Sequence, residues 1–231
     1  MRTYIVFLIL LLAKVVARLF YRLRMRWIGD VPADPWRHHR VVAILNHTSL
    51  YEWLFAGGCP NSFLWRLARH GVVPIASKTS DRALVGRFYR LVAARVVSIS
   101  RERDETWNEV LRQIDPDAMV MILPEGRMKR ANGLDAEGRP MTVRGGIADV
   151  LEAVGEGRML LAYSGGLHHI QVPGGGLPKL FKDVRMNLEL VDIAAYNAAR
   201  LEEARGDWRL FKRVVATDLE RRRDLNCPVE G

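Results

Sequence analysis

The sequence predicts an α/β protein with a mostly parallel central sheet flanked by helices. Short apolar segments alternate with helical ones along most of the chain, which is typical of repeated strand–helix–strand units. The chain has 231 residues, 49% of them hydrophobic, and this is enough for one sizeable core. Strands that alternate with helices favour a parallel sheet with both faces covered.

Six segments are predicted strands, because they are short, rich in branched apolar residues and bounded by polar residues, glycine or proline. They are residues 40–45, 71–77, 95–100, 118–123, 158–163 and 184–191. The intervening patterns predict helices at residues 50–55, 82–93, 106–114, 146–154 and 201–222. His47, Arg101 and Glu125 each follow the carboxyl end of a predicted strand, where ligands collect in sheets of this kind.

The first 30 residues are predicted to be a helix at the membrane interface. Residues 4–13 are an unbroken apolar run, shorter than the roughly 20 apolar residues that span a bilayer. Basic residues interrupt the apolar pattern that continues to Trp27, and their heads can reach lipid phosphates while their stems stay apolar. A tilted spanning helix, a signal peptide and a buried core helix are the alternatives.

Charge supports a lipid partner for this segment. The formal net charge of the chain is +9, and residues 1–40 carry +6 of it. The basic residues there are Arg2, Lys14, Arg18, Arg22, Arg24, Arg26, Arg37 and Arg40. A charge concentrated at one end indicates an anionic partner. Ten leading apolar residues are atypical of a nucleic-acid-binding arm, so we expect an anionic membrane surface and no nucleic acid.

Residues 31–35 read Val-Pro-Ala-Asp-Pro, which breaks the helical pattern and predicts a linker. The predicted organisation is therefore an interface helix at residues 1–30 and one domain at residues 36–231. Cys59 and Cys227 are far apart, and two reduced thiols are favoured over one disulfide. No cysteine pair has the spacing of a zinc site, so we expect no metal.

The segment from His47 to Glu52 is the first candidate for chemistry. A neutral imidazole can remove the proton of a hydroxyl, and a carboxylate on the other ring nitrogen fixes its tautomer. Residues five apart lie about 140° apart around a helix, so the two side chains can meet only if His47 precedes the helix. The alternative is a capping box, in which Ser49 begins the helix and Glu52 bonds only backbone.

The turn Leu123-Pro124-Glu125-Gly126-Arg127 is the second candidate. Proline ends the strand, and glycine lets a ligand approach the backbone closely. Glu125 is a candidate to bond glycerol or sugar hydroxyls, and Arg127 to pair with phosphate. Arg101 carries the planar guanidinium that suits a phosphate, and Lys78 is a weaker phosphate candidate. The alternative is a strand-to-loop turn with solvated charges and surface ion pairs.

The order of these motifs resembles the glycerolipid acyltransferase family, which comprises the lysophospholipid and 1-acylglycerol-3-phosphate acyltransferases. The motifs are the HX4E pair His47–Glu52 and residues 75–78, 86–90, 97–101 and 124–127. Arg144-Gly145-Gly146 is similar to the family's short basic-glycine segment before a helix. The resemblance covers about residues 40–150 and implies a glycerolipid-acyltransferase-like fold, with residues 36–231 as the acyltransferase domain.

The resemblance implies transfer of a fatty acyl group from an acyl thioester to a lysophospholipid hydroxyl, as in phospholipid biosynthesis. Acyl-CoA or acyl-carrier protein would be the donor and 1-acylglycerol-3-phosphate a typical acceptor. His47 would be the general base, Glu52 its partner, and the backbone near Gly126 would help hold the oxyanion. The implied substrate-binding residues are Asn46, Lys78, Arg101, Glu125, Gly126 and Arg127. The resemblance implies neither a cofactor nor a metal. It also implies a protein associated with the cytoplasmic face of a membrane.

Three departures from the family pattern leave the acceptor open. Glu52 stands where the family usually has aspartate, and its longer side chain requires a shifted helix or a looser contact. The family's threonine between Gly126 and Arg127 is missing, and residues 160–164 lack the proline of its late Val-Pro strand motif. A lipid A precursor or an aminolipid is the alternative acceptor. A non-catalytic basic protein that binds membrane lipids is the alternative to an enzyme.

Overall fold

A computed structural model of the chain describes residues 1–77, 93–100, 104–172 and 175–229. The strands in this part of the chain are β1 (Arg22–Trp27), β2 (His39–Leu45), β3 (Gly71–Ala76), β4 (Arg95–Ile99), β5 (Met119–Ile122), β6 (Arg158–Ser164) and β7 (Asp183–Asp192). The helices are α1 (Arg2–Phe20), α2 (Asn61–His70), α3 (Glu105–Arg112), α4 (Gly146–Val154), α5 (Ile193–Glu203), α6 (Trp208–Asn226) and a 3₁₀ helix (Glu52–Gly58).

The strands form one sheet in the order β1-β7-β6-β2-β5-β3-β4. Neighbouring strands are parallel except β6 and β7, which run antiparallel from Arg158 opposite Asp192 to Ser164 opposite Met186. A parallel pair needs a crossover connection, usually a helix, and the described part of the segment between β6 and β7 contains none. The prediction of a mostly parallel α/β sheet flanked by helices is confirmed.

Helices cover both faces of the sheet and bury two apolar cores. On one face, α4 and α6 pack Leu151 and Phe211 against the strands. On the other, α1, the 3₁₀ helix and α2 contribute Leu10, Leu54 and Leu64. β2 lies between the two cores and is almost entirely apolar and buried, as expected of a central parallel strand.

The N-terminal segment differs from its prediction. α1 ends at Phe20, and residues 22–27 form the edge strand β1, which pairs with β7 in parallel. Exposed arginines alternate there with half-buried apolar residues, and a period of two residues is that of a strand. A helix across residues 1–30 is therefore wrong beyond Phe20, and residues 31–35 join two strands of the same sheet.

The single helix predicted at residues 201–222 is two helices, α5 and α6. Arg205 and Gly206 between them have positive φ angles of 52° and 75°, which end α5. The side chain of Asp207 then accepts the N–H groups of Arg209 and Leu210 and begins α6. α2 has no counterpart in the prediction, and the helix predicted at residues 82–93 lies almost wholly outside the described residues.

Both sides of α1 are apolar. The side facing the 3₁₀ helix and α2 buries Val6, Leu10, Ala13 and Ala17. The opposite side is a stripe, exposed by 46 to 65%, of Ile5, Leu8, Leu12, Val15 and Leu19. Among the described residues, α1 is the one helix that is long and apolar enough to cross a membrane. It rests against the domain along its inner side and presents the stripe outward.

Candidate active site

A cavity of about 790 Å³ lies where the parallel strands end. Its lining includes the last residues of β3, β4 and β5, together with His47 just after β2. Apolar side chains contributed by α1, β1, the 3₁₀ helix, α2 and β7 line much of it, among them Leu10, Met25, Phe55, Leu64 and Met186. Several polar and charged side chains also line it, among them His47, Arg127 and Arg144, so the cavity can hold an apolar group beside a charged one.

His47 and Glu52 form a hydrogen-bonded pair on this cavity. His47 Nδ1 lies 2.9 Å from Glu52 Oε1, and the two side chains are only 10% and 8% exposed. A carboxylate can only accept, so Nδ1 of the neutral ring carries the proton and Nε2 is left as the basic nitrogen. The sequence requirement that His47 precede the helix is met, since Glu52 is the first residue of the 3₁₀ helix.

The same carboxylate also caps the turn before the helix. Glu52 Oε1 accepts the N–H groups of Thr48, at 3.1 Å, and Ser49, at 3.0 Å. The bonds to backbone that the capping-box alternative predicts and the bond to His47 therefore coexist on one oxygen, although the helix begins at Glu52 and not at Ser49. Glutamate is longer than the aspartate that the family usually has here, yet the 2.9 Å contact between Glu52 and His47 is not loose. The backbone bonds fix the carboxylate, and the carboxylate in turn fixes the ring.

Glu125 holds the backbone of this turn from the other side. Its Oε1 accepts the N–H of Asn46, at 3.2 Å, and its Oε2 accepts the N–H of His47, at 2.8 Å. Asn46 has a φ of 65°, a left-handed conformation that asparagine tolerates better than most residues. Its side chain donates to Ser164 O and accepts from Lys129 Nζ. These bonds turn the chain sharply after β2 and fix the start of the His47 side chain.

This placement corrects the expectation that Glu125 bonds an acceptor hydroxyl. Glu125 is 1% exposed and does not line the cavity, and both its oxygens already accept protein N–H groups. Its Oε1 also accepts from Arg223 Nη1 at 3.0 Å, and Arg223 donates in addition to Met141 O. Asn46 likewise bonds protein groups and does not line the cavity. Glu125 and Asn46 therefore hold the backbone beside the cavity and do not line it.

Gly126 and Arg127 do line the cavity. Gly126 has a φ of 61°, and a Cβ there would lie 3.3 Å from Arg144 Cδ, so glycine suits the position on both counts. Its N–H donates to Leu123 O at 2.9 Å, so an oxyanion donor from the backbone near Gly126 would be a neighbouring N–H. Arg127 pairs with the buried Asp135, while its buried Nε has no hydrogen-bond partner among the described residues.

The environment of His47 favours its charged form. Burial lowers the pKa of the ring, because it penalises the imidazolium. The negative charge and hydrogen bond of Glu52, with the charge of Glu125, raise it by more, so the net direction is upward. The ring is therefore a stronger base than an isolated imidazole.

Lys78 and Arg101, the other expected phosphate ligands, lie outside the described residues.

Arg223 and Asp135 are the members of the site that sequence reasoning missed. Arg223 is 98 positions from Glu125 and stands in an arginine-rich stretch of α6 that is typical of a solvated helix face. Asp135 lies in a polar loop without a recognisable motif. Neither position carries a sequence signal that distinguishes it from its charged neighbours.

Within the described residues, no group of three or more His, Cys, Asp or Glu side chains is arranged to hold a metal ion.

A family model described as Acyltransferase matches residues 26–164, which is more than half of the chain and includes the whole His47–Arg127 site. The chain belongs to the Acyltransferase family. Its fold is similar to the crystal structure of the 1-acyl-sn-glycerophosphate (LPA) acyltransferase PlsC from Thermotoga maritima, with a TM-score of 0.60. That likeness covers 97% of this chain and 81% of PlsC at 14% identity, so it shows a shared fold. A comparison with curated protein sequences found no match.

Arg223→Ala should destabilise this acyltransferase by about 3 kcal/mol, because it leaves the buried Glu125 carboxylate without its cation. Arg213→Ala is the matched control on the same helix, since the Arg213 side chain is exposed. An exposed charge contributes about 0–1 kcal/mol, so the control should be nearly neutral. Urea unfolding measures both free energies. Equal free energies of unfolding for the two variants would contradict a stabilising role of the Arg223–Glu125 pair.

Proposed function

We propose that this acyltransferase moves a fatty acyl group from acyl-CoA or acyl-carrier protein to the hydroxyl of a lysophospholipid such as 1-acylglycerol-3-phosphate. The observation that carries the proposal is the His47–Glu52 pair on the wall of a largely apolar cavity. A base beside apolar space suits a reaction whose donor and acceptor both carry hydrocarbon chains. The fold shared with PlsC, a 1-acyl-sn-glycerophosphate acyltransferase, supports the same acceptor class.

In the proposed reaction, His47 Nε2 removes the proton from the acceptor hydroxyl as its oxygen attacks the thioester carbonyl carbon. The carbon–sulfur bond breaks, the oxygen–carbon ester bond forms, and the imidazolium returns its proton to the departing thiolate. The products are an ester and a free thiol, and the path contains no acyl-enzyme. Glu52 keeps the ring in the Nδ1–H tautomer and stabilises the imidazolium that forms.

Arg127 is the proposed ligand for an acceptor phosphate. It lines the cavity, Asp135 fixes one edge of its guanidinium, and its Nε remains a buried donor without a partner among the described residues. A buried donor of this kind is satisfied when an anion binds. Lys78 and Arg101 are proposed as further phosphate ligands on the family resemblance alone.

The apolar part of the cavity is the proposed site of the acyl chain. It reaches Leu10 on the inner side of α1, whose outer side is the exposed apolar stripe. A helix that is apolar toward both the domain and its surroundings suits a protein seated at a membrane surface. We therefore propose membrane association through α1, with the anionic leaflet as the surface that the basic N-terminal region meets.

Replacement of His47 by alanine should remove most of the activity, because the acceptor hydroxyl then lacks its base. General-base catalysis contributes about 10²- to 10⁴-fold, so the rate should fall by that factor. Free-thiol release from acyl-CoA, measured over a panel of lysolipid acceptors, gives the rate. His70→Ala is the control, since His70 is a partly buried histidine that does not line the cavity. A folded His47→Ala enzyme with undiminished turnover would refute the assignment.

The same panel decides among acceptor classes. Thiol release with a lysophospholipid supports the proposal, and release only with a lipid A precursor or an aminolipid would replace its acceptor. Vesicle binding without any acyl-dependent thiol release by the unaltered protein would favour a non-catalytic lipid-binding protein instead.

Arg127→Ala should raise KM for 1-acylglycerol-3-phosphate by about 10- to 100-fold, the range expected for lost charge-assisted hydrogen bonds. KM for a monoacylglycerol, which lacks the phosphate, should stay nearly constant. Arg139→Ala is the control, because Arg139 is in the same loop and its 60% exposed side chain pairs with Glu137. Arg127→Lys guards against a folding defect, since it keeps the charge beside Asp135. Equal losses with both acceptors would contradict a phosphate role.

A further inference from the structure

We propose that residues 177–181 are a second membrane-insertion site, which acts with the α1 stripe to fix how the domain sits on an anionic bilayer. The segment leads into β7, and it bears Leu177, Leu180 and Phe181, exposed by 95, 45 and 62%. Three large apolar side chains exposed within five residues are unusual on a soluble surface and mark an interaction site. The choice of a lipid partner rests on the proposed function.

The segment is attached directly to the end of α1. The Phe181 N–H donates to Phe20 O at 2.7 Å, and the Arg22 N–H donates to Lys182 O at 3.0 Å. The rings of Phe20 and Phe181 have centroids 6.1 Å apart. Phe20 follows Leu19, the last residue of the exposed stripe, so the apolar surface of α1 continues into this segment. The two elements therefore form one surface.

The backbone holds Phe181 in an unfavourable conformation. Its φ is 58°, which is rare for a bulky side chain and costs of order 1–3 kcal/mol. Backbone strain at a residue whose aromatic ring is 62% exposed is typical of a functional position and needs a compensating interaction. Insertion of the ring among lipid chains supplies one, because it removes apolar area from water.

Charge complementarity selects an anionic bilayer as the occupant. Lys179 and Lys182, both exposed, alternate with the apolar side chains of the segment. Lysine stems can lie along apolar surface while the ammonium groups reach lipid phosphates. A second copy of this chain would bring the same positive charges together, so the surface suits lipid better than a symmetric dimer.

Vesicle sedimentation tests the proposal without any acyl donor. Leu180→Ser combined with Phe181→Asn removes two apolar side chains, and asparagine tolerates the positive φ at 181. Partitioning onto vesicles of phosphatidylcholine and phosphatidylglycerol should fall about ten-fold or more. Leu225→Ser combined with Val229→Ser removes exposed apolar residues near the C-terminus and should leave partitioning nearly unchanged. Equal partitioning of the two double variants would overturn the proposal.

The lysines give a separate measurement. Lys179→Gln combined with Lys182→Gln should weaken binding to the anionic vesicles by about five-fold per lysine and leave binding to phosphatidylcholine alone unchanged. A concentration-dependent dimer in size-exclusion chromatography that the Leu180→Ser, Phe181→Asn protein loses, with vesicle binding intact, would assign the surface to a second copy and overturn the lipid partner.

A labelled cysteine reports insertion directly. Burial raises the pKa of both native thiols, Cys59 and Cys227, to about 12, so they resist alkylation near neutral pH. An environment-sensitive dye on Leu177→Cys should shift to the blue when vesicles are added, and one on Val229→Cys should not. No shift at position 177 would refute insertion. Absence of transferase activity in the unaltered protein would refute the proposed function and leave these binding results standing.

Discussion

Two buried carboxylates hold the turn that follows β2, and the rest of the site depends on that turn. Glu52 bonds the N–H groups of Thr48 and Ser49 from one side, and Glu125 bonds those of Asn46 and His47 from the other. A buried carboxylate is costly unless donors surround it. The Glu52 and Glu125 carboxylates each accept three protein donors, four of the six being backbone N–H groups, while Glu52 Oε2 is buried without a hydrogen-bond partner among the described residues. Four consecutive residues are thereby fixed by side chains from two different elements.

The consequence for chemistry is a histidine ring with little freedom. Its backbone is bonded to Glu125, its Nδ1 is bonded to Glu52, and its carbonyl accepts the N–H of Lys129. In the proposed reaction, a base held in this way needs no reorganisation when the acceptor hydroxyl arrives beside it, which is how positioned groups lower a barrier. Arg223 on α6 donates to Glu125, which bonds the backbone of the turn after β2. α6 therefore helps to stabilise that turn.

Local patterns gave the most accurate predictions from sequence. The helix α4 was predicted at its observed bounds, and β2, β3 and β5 within about one residue, because each is a short apolar run with clear boundaries. The His47–Glu52 contact could be predicted because the pair is only five positions apart and the turn geometry restricts how the two side chains meet. The sequence prediction assigned β1 to the N-terminal helix, because its basic residues directly follow an apolar helical segment. The two-residue period of those basic residues indicates a strand instead.

Long-range partners could not be predicted in the same way. Glu125 was expected to bond a ligand, and its true partners are the Asn46 and His47 backbone and an arginine 98 residues away. No pattern in the sequence reports which of several arginines in α6 turns inward, since that depends on how the helix packs. The motifs predict residues that the structure brings together around one cavity, and only the packed structure distinguishes those that face the cavity from those that support its walls.

The pH dependence of kcat/KM, compared between the unaltered enzyme and Glu52→Gln, tests whether Glu52 makes His47 the base of the reaction. A general base must be neutral, so activity rises with pH through the pKa of His47, which the carboxylates raise above its ordinary value of 6.5. Loss of the Glu52 charge leaves the charge of Glu125 alone to oppose the effect of burial, so the pKa of His47 falls. Glu52→Gln should therefore react more slowly and show an acidic limb displaced to lower pH. An acidic limb at the same pH in both enzymes would contradict it.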